Sequence, residues 1–334
     1  MISNKHNGQC NIALVGCGRI SQAYLEALSA IPDSTLKAVV DVRQNIARSV
    51  ADRFGCQPHT DYRRVSNENQ VDVAIVCSPP NTHAEIASFF LENGIHVLCE
   101  KPLALSVNEA KLMTRAAKDN GRHLMMASKF RYVDDVIKAK GIIESGVLGD
   151  IILFENVFCS RVDMHKRWNS DRDIAGGGVL IDNGTHSVDI ARYLLGPIEK
   201  IQAEEGKRIQ KLSVEDTARA YFKTYSNVLG TIDLSWSISK EKEAYIEIYG
   251  TEGVLSIGWK RSGYRQNGST DWTWFGSGYD KVGAFTRNVN NLIGVIGSTE
   301  TPLINEIESV ASVEVIEAAY KSMQMDKWVD VEAI

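Results

Sequence analysis

The sequence predicts an α/β protein. A doubly wound parallel sheet of Rossmann type comes first, and a second α/β domain follows, built on a large, mostly antiparallel, open-faced sheet. Three observations carry this. A strand, a glycine turn and a helix open the chain within residues 11–28, and apolar strands then alternate with amphipathic helices to about residue 130. Beyond that point long β-rich stretches replace the alternation. The expected domains are therefore 1–130 and 131–334.

Composition sets the outer limits. With 334 residues, 44% of them hydrophobic and 24% charged, the chain has enough apolar surface for two cores. A formal net charge of -5 gives no overall attraction to phosphate backbones or anionic membranes, so nucleic acid and membrane partners are not expected. The first ten residues, MISNKHNGQC, are polar and lack the apolar core of a signal peptide, and no apolar run approaches the ~20 residues of a membrane span. The expected location is the cytoplasm. Cysteines 10, 17, 56, 77, 99 and 159 form no CxxC pair and no metal-ligand spacing, so they read as reduced and structural, and no metal site is expected.

The elements follow in order. Asn11 to Val15 is apolar and runs into Gly16-Cys17-Gly18-Arg19-Ile20-Ser21, after which Ala23, Leu25, Ala27 and Leu28 mark a helix. Glycines at 16 and 18 permit a tight turn and let backbone N–H groups approach a pyrophosphate at the helix N-terminus. The third glycine of that fingerprint is Ser21, which slightly loosens helix-to-strand packing. A second strand, Leu36 to Val40, ends at Asp41, twenty-three residues beyond Gly18. A carboxylate there is placed to accept hydrogen bonds from the adenine ribose hydroxyls, and it repels a 2′-phosphate. NAD is the expected cofactor. NADP stays open, because Arg43 lies two residues on and is able to pair with such a phosphate.

The alternation continues through the strand Val71 to Cys77, the turn Ser78-Pro79-Pro80-Asn81-Thr82-His83, a helix through Ile86 and Leu91, and the strand Ile95 to Cys99. That last strand ends at Glu100-Lys101-Pro102. In an open parallel sheet ligands lie beyond the carboxyl ends of the strands, so these turns are expected to converge on one crevice. Gly16, Gly18, Arg19, Ile20, Asp41, Arg43, Ser78, Pro79, Asn81, His83, Glu100 and Lys101 are the expected cofactor-binding residues. A helix, Val107 to Asn120, and a strand, His123 to Ala127, complete a Rossmann-type unit of six strands.

After a helix at about Val133 to Ser145, β-rich stretches occupy Ile151 to Val162, Ile198 to Lys207, Thr217 to Ser239 and Glu243 to Trp259. Ser226-Asn227 and Gly250-Thr251-Glu252-Gly253 suit hairpins, and the final helix, Glu306 to Met323, is a candidate to pack back across the domain boundary onto the first domain. A sheet with helices on one face leaves the other uncovered. Phe154, Tyr221, Trp236, Tyr245 and Tyr249 are the aromatics expected to line that face, with ordinary core as the competing reading.

Gly176 to Gly196, GGGVLIDNGTHSVDIARYLLG, reads as one helix stopped by Gly196-Pro197, with Val188, Ile190, Ala191, Leu194 and Leu195 as its buried stripe. Asp182 and His186, four residues apart, share a face, so a carboxylate and an imidazole can act on one bound molecule. The competing reading is a hydrogen-bonded helix histidine beside an exposed acid. Between the first β-rich stretch and this helix, residues 160–172 carry four cations, one imidazole and one indole. They read as a substrate loop in which Trp168 stacks on a sugar or base while Arg161 or Arg167 holds a phosphate, or equally as a solvated loop with local ion pairs. Arg131, after the last Rossmann strand, is a further candidate for substrate contact.

Taken together, VGCGRIS, Asp41, SPPNTH, CEKP, KFRYVDDVIKAKGIIESGVLGD and GGGVLIDNGTHSVDIARYLLG resemble the glucose-fructose oxidoreductase and inositol dehydrogenase family, called Gfo/Idh/MocA, over nearly the whole chain. The resemblance implies a nicotinamide-dependent oxidoreductase of a sugar, nucleotide sugar or cyclitol, whose second domain forms a homodimer or homotetramer through its open sheet. It carries the family's catalytic residues onto Lys101, Asp182 and His186, and it implies a cis bond before Pro102. It also leaves two other readings, since the family includes a regulatory protein that keeps the fold as a ligand-responsive module and an enzyme whose cofactor cycles without release.

Overall fold

The computed structural model describes residues 9–68 and 70–332. The polar N-terminal residues 1–8, on which the absence of a signal peptide was read, lie outside them. Two units divide the chain: one reaches to Lys129 and adds Lys281–Val310, the other holds Phe130–Asp280 and the residues from Ala311 on.

The first unit is built on six parallel strands, β1 (Cys10–Val15), β2 (Ser34–Val40), β3 (Gln57–His59), β4 (Val73–Val76), β5 (His96–Glu100) and β6 (Leu124–Ala127), in the order β3-β2-β1-β4-β5-β6. Helices α1 (Ser21–Ser29), α2 (Gln44–Phe54), α3 (Val65–Glu68), α4 (His83–Glu92) and α5 (Val107–Asp119) connect them. β1, β4 and β6 are buried along their whole length, which is why they read as continuous apolar runs rather than alternating ones. The strand order reverses between β1 and β4, and ligands sit at such a reversal. Five of the strands were visible in the sequence. The sixth, β3, is three residues of Gln-Pro-His at the sheet edge, where a proline is tolerated and no apolar run is needed.

The second unit carries α6 (Asp134–Glu144), α7 (Arg172–Ala175), α8 (Val179–Leu195) and a nine-stranded sheet. Its strands are β7 (Ile151–Cys159), β8 (Ile198–Glu205), β9 (Thr217–Thr224), β10 (Leu229–Ser235), β11 (Ala244–Gly250), β12 (Gly253–Gly258), β13 (Ser262–Gln266), β14 (Thr273–Gly276) and β15 (Val329–Asp330). The order is β14-β13-β12-β11-β7-β10-β9-β8-β15, and every neighbouring pair but β7 with β10 is antiparallel. In β9, Ala218, Ala220 and Phe222 point into the core while Arg219 and Tyr221 point out, the period of two that marks a half-buried strand. α8 packs on β7, β9 and β10 and covers the inner face.

One expectation needs correction. Phe154, Trp236 and Tyr245 do not line an open face; each is no more than 3% exposed, Phe154 by its register in β7 and Tyr245 at the irregularity between Ala244 and Ile246. Tyr221 and Tyr249 do face outward, together with Leu153 and Leu229, the cross-strand neighbour of Leu153. The division falls at Lys129/Phe130, and the chain then returns to the first unit. Helix α9 (Lys281–Ile296) and the start of α10 (Glu306–Met325) cluster with the first unit, since α9 packs on α1 and the Phe285 ring meets Tyr24 edge-on at 4.6 Å. The start of α10 is the return expected of the final helix, whereas that of α9 was not expected from the sequence.

Candidate active site

In the first unit the predicted cofactor residues collect at the carboxyl ends of the strands. Gly16 has φ +93, and a Cβ there would lie 2.7 Å from the Cys77–Ser78 backbone, so only glycine lets the turns after β1 and β4 touch. Gly18 differs: nothing lies within 4 Å of the place its Cβ would take, which leaves a backbone gap at the N-terminus of α1. Ser21 is fully buried, and its hydroxyl donates to the Gly18 carbonyl at 2.5 Å, so the residue in place of the third glycine braces the loop. Arg19 is exposed and Ile20 half-buried beside it.

Asp41, at the end of β2, accepts from the Cys17 N–H at 3.1 Å and from the Arg43 N–H at 2.9 Å. The Arg43 guanidinium grips it in two-pronged fashion, Nε at 3.0 Å and Nη2 at 3.1 Å. Burial acts to raise the Asp41 carboxyl, but the bonds from Arg43 and Cys17 outweigh it and leave the group below the usual carboxylate range. Asp41 is therefore an anion whose partner, Arg43, is 61% exposed and able to swing away.

Beyond β4, Ser78 and Pro79 are half-buried and Asn81 is exposed. His83, expected to meet the cofactor, is instead 1% exposed, with both ring nitrogens 2.9 Å from backbone carbonyls. It braces the turns rather than facing a ligand. Beyond β5, Glu100 is buried, accepts from the Tyr24 hydroxyl at 2.9 Å and from the Lys101 N–H at 3.1 Å, and its carboxyl is pushed up by burial against the pull of Lys101. Lys101 itself is half-buried, and the Lys101–Pro102 peptide is cis.

In the second unit α8 carries Asp182, half-buried, and His186, 7% exposed. No side chain of its own caps this helix. The carboxylate of Glu215, 37 residues on, accepts from the N–H groups of Gly178 at 2.9 Å and Leu180 at 3.1 Å and from the Tyr320 hydroxyl at 2.7 Å. A carboxylate on the first-turn N–H groups suits the positive end of the helix dipole. Glycine is required for it: a Cβ on Gly178 would sit 2.0 Å from the Glu215 carbonyl oxygen and one on Gly177 2.0 Å from the Tyr320 hydroxyl. The His186 ring meets Phe130 edge-on at 5.0 Å, and Phe130 in turn stacks on Tyr279 at 5.2 Å.

Arg131, expected to contact substrate, is instead occupied within the fold. It is 2% exposed, and its guanidinium is held by Asp189 of α8 at 2.8–3.0 Å, which ties the Phe130 segment to the helix. In the loop of residues 160–172, Arg161 is exposed, Arg167 half-buried and Trp168 42% exposed, while His165 pairs with Asp163 at 2.8 Å.

With this geometry, the comparisons with known proteins are decisive at the level of family. An oxidoreductase family description, with an NAD-binding Rossmann fold, matches residues 10–128, and the Gfo/Idh/MocA C-terminal domain matches residues 136–256. The chain belongs to the Gfo/Idh/MocA family. Among relatives in this family, it is 28% identical to levoglucosan dehydrogenase of Pseudarthrobacter phenanthrenivorans, over 75% of this chain and 74% of the relative. It is 29% identical to myo-inositol 2-dehydrogenase of Thermotoga maritima, over 73% of this chain and 74% of the relative. A solved levoglucosan dehydrogenase in complex with NADH shares the fold at a TM-score of 0.91 and 23% identity, covering 98% of this chain and 100% of that one. What sequence reasoning missed in this Gfo/Idh/MocA chain is what holds the candidate residues: Tyr24 behind Glu100 in the first unit, and Glu215, Tyr320, Phe130 and Asp189 around α8 in the second. The triple glycine at 176–178 was the one local signal, since it announces a close approach without saying by what.

Proposed function

We propose that this chain is an NAD-dependent dehydrogenase of sugars or cyclitols, in which Lys101, Asp182 and His186 act on a secondary hydroxyl. The observation that carries the reading is the pairing of two features: a glycine turn with an open gap at Gly18 beside the anionic Asp41, and an imidazole and carboxylate one helical turn apart on a single helix. The residues fit the cofactor. The gap at Gly18 admits a pyrophosphate to the α1 N-terminus, and Asp41 offers acceptor oxygens to ribose hydroxyls once Arg43 moves aside. NAD bound there supplies the two-electron acceptor. Oxidation of a carbinol to a carbonyl also releases the hydroxyl proton, and His186 is the group to take it. The Lys101 ammonium favours negative charge developing on the same oxygen, and Asp182 orients the polyol.

The names of the relatives support a free sugar or inositol as substrate. The outward Leu153, Tyr221, Leu229 and Tyr249 support a homodimer or homotetramer through the sheet. Six free cysteines suit the reducing cytoplasm. The test is a thermal-shift titration with NAD and NADP, followed by NADH formation with levoglucosan, myo-inositol, scyllo-inositol, D-apiose and UDP-sugars. A shift with NAD and turnover of one class supports the reading. NAD binding without turnover of any of them refutes it in favour of a regulatory module, and a reduced-nicotinamide band in freshly purified protein indicates a cofactor that is not released.

A further inference from the structure

The segment Ser78 to His83 ends in a side chain that the cofactor reading leaves without a task. His83 opens α4, is 1% exposed, and spans two turns: Nε2 lies 2.9 Å from the Ser78 carbonyl oxygen and Nδ1 2.9 Å from the Pro102 carbonyl oxygen, 19 residues away. The first carbonyl belongs to the turn after β4, and the second immediately follows Lys101. Both turns are held from further sides. Cys77–Ser78 presses on the glycine face of Gly16, Thr82 donates to the Pro79 carbonyl at 2.7 Å, and the Lys101 N–H is anchored by Glu100, itself held by Tyr24.

Packing alone does not explain a histidine here. Burial, aided by the charge of Lys101, pushes the ring below its ordinary range, so it is neutral and has one N–H for two carbonyl acceptors. An apolar ring of similar volume would fill the space without desolvating two nitrogens, one of which faces an acceptor unsatisfied. What the imidazole adds is one directed bond: with the proton on Nδ1 it donates to the Pro102 carbonyl and ties the Lys101 turn to the start of α4, while the Nε2 side packs against the Ser78 carbonyl.

We propose that His83 is a positioning residue for Lys101, setting the place of its ammonium relative to the cofactor turn without touching substrate or NAD. This rests on the reading of Lys101 as the cation beside the reacting oxygen. Misplacement by about 1 Å costs on the order of a hundredfold in rate. His83→Ala is therefore expected to lower kcat about 10- to 100-fold, with the Kd for NAD, measured by fluorescence, within about twofold of the parent. His83→Gln, which keeps an N–H donor, recovers part of the loss.

The deciding experiment is the double-mutant cycle with Lys101→Ala, run on whichever of the five substrate classes is turned over, with hydrogen exchange of the free protein as a second readout. Once Lys101 is gone, its placement no longer matters, so His83→Ala should add less than about a twofold loss. Peptides covering residues 78–82 and 101–104 should both exchange faster in His83→Ala. An unchanged kcat in His83→Ala, or the same loss with and without Lys101, overturns the proposal. If Lys101→Ala alone leaves turnover intact, the reading of Lys101 has failed instead. Should His83→Ala not fold, as judged by its melting curve, the cycle with His83→Gln decides in the same way.

Discussion

The two units hold their functional side chains by different means. In the first, each lies in a turn that directly follows a strand, and its position is set by backbone geometry within a few residues: glycine torsions at 16, the end of β2 at Asp41, the end of β5 at Glu100. In the second, Asp182 and His186 ride on one helix whose start is fixed by Glu215 and Tyr320, 37 and 105 residues apart from their partners in sequence. Local turns make a cofactor site that short motifs can announce. A helix capped from afar makes a site whose residues can be read but whose support cannot.

This contrast can be broken, beginning with the largest effect. Lys101→Ala is expected to lower turnover about 10²- to 10⁴-fold while the folded state and NAD affinity stay close to the parent, because the ammonium acts on the reacting oxygen and not on the turn that carries it. Steady-state kinetics beside a binding titration checks it. Next come two glycines that look alike in sequence. Gly178→Ala drives a methyl into the Glu215 carbonyl and should cost about 3 kcal/mol of stability, read by denaturant unfolding. Gly18→Ala meets nothing within 4 Å, so melting should be unchanged while NAD affinity falls roughly tenfold, about 1.4 kcal/mol. Equal losses of stability in the two variants would erase the distinction between the units.

Asp41→Ala should weaken NAD by about 1.5–3 kcal/mol, the loss of a charged acceptor, and should relax discrimination against NADP as Arg43 is released. An unaltered preference would mean that the adenine ribose is read elsewhere. A further effect concerns pH and appears only in acid. His96 stacks on His123 at 5.2 Å and accepts its N–H at 3.0 Å, and burial, then the charges of His123 and Arg122, push it down to about 3. The unfolded chain takes up a proton near pH 6.5 that the folded ring refuses, so this site contributes full stability above about 6.5 and loses it as pH falls toward 3. His96→Asn should flatten the fall in melting temperature over that window.

Much of this was legible because the physics is local. A parallel strand buried on both faces must be apolar, and the tight approach at Gly16 requires glycine, so β1, β4, β5 and the phosphate turn stand out in the sequence. β3 escaped because an edge strand of three residues needs no apolar run. Arg131 looked like a substrate ligand because a cation beyond a strand end resembles one; its partner Asp189 is 58 residues away. The aromatics of the sheet were assigned to the wrong face in three cases, since a composition that is aromatic on both sides hides the register. The place of His83 in a motif suggests a ligand contact, whereas the structure buries its ring between two backbone carbonyls.

The most direct test of the account is the turnover of His186→Ala at saturating NAD, measured as NADH formation with NAD affinity determined on the same preparation. The account predicts a loss of about 10²- to 10⁴-fold with NAD bound as tightly as before, because the imidazole handles the substrate proton and lies on α8, away from the cofactor turns in sequence. Turnover equal to that of the parent would contradict it.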